Sequence, residues 1–578
     1  MNFLTKGHNC KSSAIPSHLD ADTFNEHFLS VAKKLSSTET EPYACPDILE
    51  EFCKERTAGT QRFTIPQLAV HEVGKLISMM ANKKSSGPDD VSPRILKISL
   101  PYTVTSLTHI YNLCIEQNTF PAAWKMGKVI PLPKTTDHSD VNNYRPISLL
   151  SVLSKPLERH VHKHLLSYLE TRQLIHPSQS GFRPGHSCHT ALTRMTETWL
   201  SAINNSQING VVFLDLKKAF DLVNHDILLK KLVCYLGGVE NTLFFKSYLE
   251  RRQQKVLLNG FYSAEGHVQC GVPQGSVLGP LLFCTFINDL PMQIHNTHNL
   301  SIELFADDST LHTADSSITG VNSRLQGGVA EVNQWCHTNR MVLNPSKTEA
   351  MVITTRQKHQ LTPLLLNLSV NKTPIKQVQE HKLLGVTIDS KLSWDSHIDS
   401  TCKALSRNLF LLSKLKHYLD ADARKLYYTA HIRSRIDYAS TLWDGASENI
   451  LKRMNSLHRR SAKLILQDPL LTTDEKMEKL EILPLNFHLH YNKCIIMFKI
   501  QNNLLPKQLC DSFTPSVSRY MNHRMSFIVP KARIDMYKRS LCFSGSTLWN
   551  SLPLSVKCAP SLAVFKSSVF KCYSSKLS

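Results

Sequence analysis

At 578 residues the chain is too long for one ordinary domain and should hold roughly three or four. An apolar content of 42% excludes wholesale disorder, and a formal net charge of +20 points to a polyanionic partner. The 15 cysteines stand singly with no C-x-x-C pair, which excludes a secreted disulfide scaffold and leaves a zinc or redox module without support.

The first residues, MNFLTKGHNCKSS, lack a long apolar core and a small-residue cleavage site, so no leader peptide is expected there and the chain reads as intracellular. A polar stretch runs to about position 80, in which Phe24, Phe28, Val31 and Leu35 are spaced for one amphipathic helix. KKSSGPDDVSP (83–93) is rich in turn formers. From 114 to 388 apolar strands and helices alternate closely, as in an α+β or α/β catalytic core.

Within that core, Leu157, Val161, Leu165 and Leu169 recur every four residues behind Pro156, which predicts an amphipathic helix with proline near its first turn. Val211 to Leu214 is a continuous apolar run, the pattern of a strand buried on both faces. His225 to Leu236 reads as a helix closed by Gly237-Gly238. Asn259-Gly260 inside KVLLNGFYS is a strong short hairpin signal. The longest apolar stretch, Val277 to Ile287, is too short to span a bilayer. IELFADDSTLH (302–312) predicts two short strands turning around an Asp-Asp pair. Beyond 400 the pattern turns helical and basic. From 401 to 578 there are 28 Lys and Arg against 12 Asp and Glu, so +16 of the +20 lies in the last third.

Two places offer carboxylates at the rim of a core: Asp215, ending VVFLD, and Asp307-Asp308 inside LFADDST. An aspartate ending a strand is usually a cap or turn residue, and Asp-Asp in a hairpin is commonplace, so neither is diagnostic alone. Together they are the hard oxygen donors that two-metal nucleotidyl transfer needs, where a 3′-hydroxyl attacks an α-phosphate and pyrophosphate leaves.

The surrounding blocks carry a family pattern. WKMGKVIPLPK (124–134), NYRPISLLSVLSKPLERHVHKHL (143–165), QSGFRPGHSCHTAL (179–192), VVFLDLKKAFDLVNHDIL (211–228), GVPQGSVLGPLLFCTFINDL (271–290), FADDST (305–310), NPSKTEAMVI (344–353) and HKLLGVTID (381–389) stand in order. This stretch resembles the reverse transcriptase domain of non-LTR (LINE-type) retrotransposons of the jockey and CR1 kind. The resemblance implies an α+β right-hand polymerase with fingers and a ferredoxin-like palm (114–388), a mainly helical basic thumb (389–470) and a C-terminal region of unassigned role (471–578). Residues 1–113 would be a linker or extension.

It also implies roles. Asp215 and Asp307 would bind two Mg2+ ions, with Mn2+ as a substitute, and Asp308 would be the adjoining carboxylate. Phe220, five residues after Asp215, would block a ribose 2′-hydroxyl. Lys134 and Arg145 would meet the triphosphate, with Lys128 an alternative to Lys134. Gln274 and Gly275 would meet the base-pair edge and template. Lys347 would protonate pyrophosphate or be a surface lysine, and Arg183 would touch the template backbone. Asp221, Asp226 and Asp289 read as turn or capping residues.

Arg453, Arg459 and Arg460, in the basic helical stretch 415–466, would grip the phosphates of a primer–template duplex. The expected partners are an RNA template, a DNA primer or nicked target DNA, and dNTPs, with no membrane. Copying at a chromosomal nick implies the nucleus. Some 110 residues ahead of the polymerase blocks leave no room for the endonuclease such elements usually carry, and no zinc knuckle or RNase H acidic cluster is apparent. The alternatives are a catalytically silent remnant that only binds nucleic acid, and an RNA-making polymerase. Against the latter stand Ala306 before Asp307-Asp308, where such enzymes carry glycine, and Phe220.

Overall fold

The structure, a computed structural model, describes residues 19–35, 45–59, 62–82, 85–294, 300–361, 364–516 and 525–575. The leader-peptide reading at residues 1–13, positions 83–84 of the turn-rich segment, and the side chains of Val31 and Leu35 lie outside what it describes.

In chain order the first strands are β1 (Met126–Pro133), β2 (Tyr144–Leu149), β3 (Ile208–Leu214), β4 (Arg252–Leu258), β5 (Phe261–Tyr262) and β6 (Gly266–Val268). β7 (Ser301–Phe305), β8 (Asp308–Asp315) and β9 (Glu349–Ile353) follow. They sort into two sheets. The fingers sheet runs β2-β1-β4-β5, with β6 also on β4. The palm sheet runs β9-β3-β8-β7, all antiparallel neighbours, with the short strand Lys376–Gln377 parallel on the β9 edge.

Along the chain the palm reads β3, the Gly279–Ile287 helix, β7, β8, the Ile318–Thr338 helix and β9. A β-α-β-β-α-β sequence with the fourth and first strands adjacent is the ferredoxin-like arrangement. The α+β polymerase expectation therefore holds.

β3 shows why an uninterrupted apolar run belongs at its centre. All seven of its residues are buried. Ile208, Val212 and Leu214 join a core with Ile302, Leu311 and Val329, while Val211 and Phe213 face a second core with Trp199, Met351 and Cys402. Period-two alternation sends neighbouring side chains to opposite faces, and here both faces are covered.

The local signals fold as their chemistry dictates. Pro156 occupies the first turn of the Ser154–Thr171 helix, and Leu157, Val161, Leu165 and Leu169 are fully buried. Asn224 caps the His225–Leu236 helix through its side chain, and Gly237 ends it at φ 76 with its N–H on Val233 O. Asn259 and Gly260 both take positive φ between Leu258 and Phe261, the two-residue turn that joins β4 to β5.

The described helices of the stretch expected as a linker or extension pack onto the body. In the Ala21–Leu35 helix, Phe24 is fully buried and meets the Tyr144 ring edge-on at 4.8 Å, seating the helix on the fingers sheet. Leu49, Val73, Ile77 and Tyr111, from three further helices, enter the main core. Apolar periodicity across a polar composition was a weak sign of this, because only the partner surface reveals what such a face covers.

Past the palm, the Asp395–Leu415 and Glu448–Ile465 helices pack together. The C-terminal region forms its own core around Trp549, which is fully buried and donates from Nε1 to Met525 O. It docks on the Cys188–Asn204 helix: the carboxylate of Glu197 accepts from the N–H groups of Leu541 and Cys542 at 2.5 and 2.9 Å.

Candidate active site

β3 ends at Leu214, paired with Ser309 of β8, and the antiparallel register carries Asp215 to the place opposite Asp308. Directly opposed residues in such a ladder have Cα atoms about 4.5–5.5 Å apart, so two carboxylates far apart in sequence become neighbours. Asp307 joins them from the β7–β8 turn. The turn is centred on Ala306 and Asp307, not on the Asp-Asp pair, and Asp308 opens β8. This answers how adjacent aspartates can reach one place: one lies in the turn and the other on the strand.

Ala306 adopts φ 59, a conformation that costs an L-residue about 1–2 kcal/mol. The surroundings hold it there. Gln179 Oε1 accepts from the N–H groups of Gly181 and Ala306 at 2.7 and 3.1 Å. Ser180 N–H donates to Leu304 O, and Leu304 N–H to Ser178 O, so the segment runs along the outer edge of β7. A Cβ on Gly181 would lie 2.4 Å from the Ala306 nitrogen, so only glycine admits this approach.

Asp215 is steadied from the other side. Asn344 donates from Nδ2 to its Oδ2 at 2.8 Å, and Asn344 N–H to its carbonyl at 2.8 Å. Asn344 opens the NPSKTE block, yet nothing in its own letters marks it as the residue that orients a carboxylate.

Asp215 and Asp307, but not Asp308, line a cleft of about 790 Å3 whose walls also include Phe220, Gln274, Lys134, Arg145 and Lys347. Burial at the cleft floor raises the carboxyl of Asp307, with the Asp215 charge adding to it and Arg145 offsetting part. Asp308 is pushed up to about 6 by desolvation, then by Asp307 and Asp215, although its side chain reaches solvent. Asp215 and Asp307 lie near enough to raise Asp308, and the three offer hard oxygen donors of the type a divalent cation takes, although among the described residues their ligand atoms do not all come within 4.8 Å of one another.

Phe220 stacks on Phe283 at 4.4 Å while lining the cleft, so core packing fixes the ring that meets the opening. Lys134, Arg145 and Lys347 are exposed on the rim. The Lys134 ammonium donates to Asn142 O at 3.0 Å and is held below the usual lysine range by burial and by Arg145 and Lys347. Lys128 does not join them: its side chain is buried and pairs with Asp90 at 3.5 Å.

Several expected positions serve differently. Arg183 donates from Nε and Nη2 to both oxygens of Glu170 at 2.8 and 2.7 Å, and from Nη1 to two backbone carbonyls. Its guanidinium therefore braces the segment behind the Ala306–Asp307 turn and is not free for a template backbone. Gly275, at φ 123, admits a close neighbour, but that neighbour is Ser148 O of the fingers, 2.3 Å from where a Cβ would stand.

Asp221 lies in a turn, its N–H on Lys218 O, and its carboxylate also accepts from Gln274 Nε2 at 3.0 Å, lines the cleft, and is raised to about 6 by burial. Asp289 is fully buried against Lys231 at 2.7 Å and Trp335 Nε1 at 3.1 Å. Asp226 does lie in the first turn of its helix. Arg453 and Arg459 pair with Asp399 and Asp474 at 2.5 Å, while Arg460 is exposed with no ion pair among the described residues. Lys218 and His27 complete the cleft wall, 3.1 Å apart. His27 comes from the N-terminal helix, and no sequence signal placed it there.

Residues 132–388 match the family described as reverse transcriptase (RNA-dependent DNA polymerase). The chain is 30% identical over 415 residues to the probable RNA-directed DNA polymerase from transposon BS of Drosophila melanogaster, covering 70% of this chain and 45% of that protein. It is 29% identical over 434 residues to the RNA-directed DNA polymerase from mobile element jockey of the same fly, with 73% and 47% covered. A Pol polyprotein from type-1 retrotransposable element R2 of Popillia japonica is 28% identical over 204 residues, with 33% and 28% covered. The chain spans about half the length of the first of these relatives. No helix among the described residues is long and apolar enough to cross a membrane.

Proposed function

The chain belongs to the reverse transcriptases of the non-LTR retrotransposon kind, and from that premise we propose that it extends a DNA primer, or the 3′-end of nicked target DNA, on an RNA template using dNTPs. The observation that carries this reading is the strand register that brings Asp215 opposite Asp308, with Asp215 and Asp307 lining one cleft.

Asp215, Asp307 and Asp308 would hold two Mg2+ ions, or Mn2+ in their place, which when bound offset the charge growing on the attacking 3′-oxygen and on the leaving phosphate. Asn344 keeps the Asp215 carboxylate in one orientation. Lys134, Arg145 and Lys347 line the same cleft and would bind the triphosphate as fixed cations. Lys347 is the rim lysine assigned the proton that pyrophosphate takes up on leaving. Phe220, locked by Phe283, fills the space a 2′-hydroxyl would need. Gln274, oriented by Asp221, meets the edge of the forming base pair. Copying primed at a chromosomal nick places this activity in the nucleus.

Primer extension on an RNA template, with Mg2+ supplied or chelated, tests the reading. Extension should require the cation. Asp215→Asn, which can still accept from Asn344, should lower extension at least about a hundredfold while duplex binding persists. Normal extension by this variant would sink the assignment.

A further inference from the structure

We propose that Lys125 and Arg252 form a second phosphate site, behind the Gln274 loop, that holds the backbone of the template strand beside the base being copied. The inference rests on the polymerase reading above and adds a location that reading does not supply.

A second cavity lies between the fingers sheet, the 268–274 loop and Phe28 and Leu29 of the N-terminal helix. It shares Pro146, Lys218, Asp221 and Gln274 with the nucleotide cleft, so the two openings adjoin at the Gln274 loop. If the incoming nucleotide occupies one side with its pairing edge at Gln274, the strand supplying the partner base must run past the other.

Arg252 lines this second cavity and is only 2% exposed. Its Nε donates to Tyr248 O at 2.8 Å, and its guanidinium lies 4.2 Å from the Tyr248 ring centroid and 5.6 Å from that of Phe120. Nη2 is buried with no hydrogen-bond partner. A buried guanidinium ordinarily has a carboxylate or carbonyl for every donor, because an unmet charged donor in a desolvated site is costly.

The charge that acts most strongly on Lys125, another residue of this cavity, is that of Arg252 and has the same sign. Lys125, half-buried on the same cavity, is held below the usual lysine range by burial and then by Arg252. The carboxylates in reach are otherwise engaged: Glu250 pairs with Lys246 at 3.7 Å, and Asp221 accepts from Gln274. Two cations forced together, one with a spare donor, form a seat for a doubly coordinated phosphate oxygen.

The test is equilibrium binding of primer–template duplexes, with and without a 5′ template overhang, in Mg2+ but without nucleotide, so that no chemistry is required. Wild type should bind the overhang duplex more tightly than the blunt one. Lys125→Ala should weaken the overhang duplex roughly tenfold and leave the blunt one unchanged. Neutral methylphosphonate linkages at the first two overhang positions should reproduce that loss in wild type and add nothing in Lys125→Ala.

Arg252→Lys should behave likewise. Because Arg252 is packed into the core, Lys125 at the cavity wall keeps the test decisive if that variant does not fold. Equal weakening of both duplexes, or no effect of the neutral linkages, overturns the proposal. Inorganic tripolyphosphate that binds wild type but not Lys125→Ala, with no dependence on the overhang, would reassign the seat to free polyphosphate and overturn the template assignment. Intact overhang binding with no extension would count against the polymerase reading and leave this site standing.

Discussion

Asp308 is an acid whose surroundings resist its ionisation, since desolvation and the Asp307 and Asp215 charges lift it to about 6. A group whose native pKa exceeds its unfolded value binds more protons folded than unfolded, so stability falls as pH rises from about 4 to about 6. In the cation-free protein the ionised cluster is therefore a destabilising repulsion at neutral pH. Asp308→Asn should raise the Tm of cation-free protein at pH 7 by about 1–3 °C while lowering extension. It should not raise Tm below pH 4, and a Tm gain that ignores pH would show the repulsion is absent.

The same charge balance makes protons compete with the cation, so the Mg2+ concentration needed for half-maximal extension should climb as pH drops below 6. At Phe220 the forecast concerns selectivity. Phe220→Ala should admit ribonucleotides at least about tenfold better relative to deoxynucleotides, measured as a ratio of kcat/KM values. An unchanged ratio would leave Phe220 as packing against Phe283 alone.

Elements show how much of this site is scaffolding. The 178–183 segment adds to the β7 edge, Gly181 lets it approach Ala306, and Arg183 anchors it to Glu170. Gly181→Ala should displace the catalytic turn, costing about 1–3 kcal/mol of stability and most of the extension rate. Arg183→Ala should lower Tm and leave the salt dependence of duplex binding as it was, because its cation is already paired. A shallower salt slope in that variant would restore it as a template contact.

The GFRPG letters advertised a special segment without stating its task. A glycine and an arginine in sequence specify a tight place and a cation, and only the fold reveals that the tight place is the back of the Asp307 turn. Asn344 was legible as part of a block but not as the partner of Asp215, since the two lie far apart in the chain and meet only through β3 and the loop before β9.

Across the whole molecule, charge and architecture divide the work. The excess of +16 beyond residue 400 follows the palm in sequence, but its members are not equivalent. Arg453 and Arg459 hold Asp399 and Asp474, whereas Arg460 is exposed. Arg460→Ala should therefore reduce the salt slope of duplex binding by about 1, and Arg453→Ala or Arg459→Ala by less. Equal slopes in all three would mean that the surface pairs open when nucleic acid arrives.

The C-terminal region binds the Cys188–Asn204 helix through Glu197, so it is bonded to the helix behind the palm as well as to its own core. The sequence assigned this region no role. The structure shows Trp549 filling the centre of that core.

The buried β3 run, the helix caps and the Asn259-Gly260 turn were determined by the sequence because each depends on residues close together along the chain, while the order of the blocks and the identities of the three acidic residues were legible as a pattern of letters. The meeting of Asp215 with Asp308, the bracing by Asn344 and Gln179, the 3.0 Å approach of Cys45 to Cys234 and the incorporation of the N-terminal helices were decided by tertiary structure alone. Such contacts join segments whose separation along the chain says nothing of distance. Only strand register and the burial of complementary apolar faces bring them together.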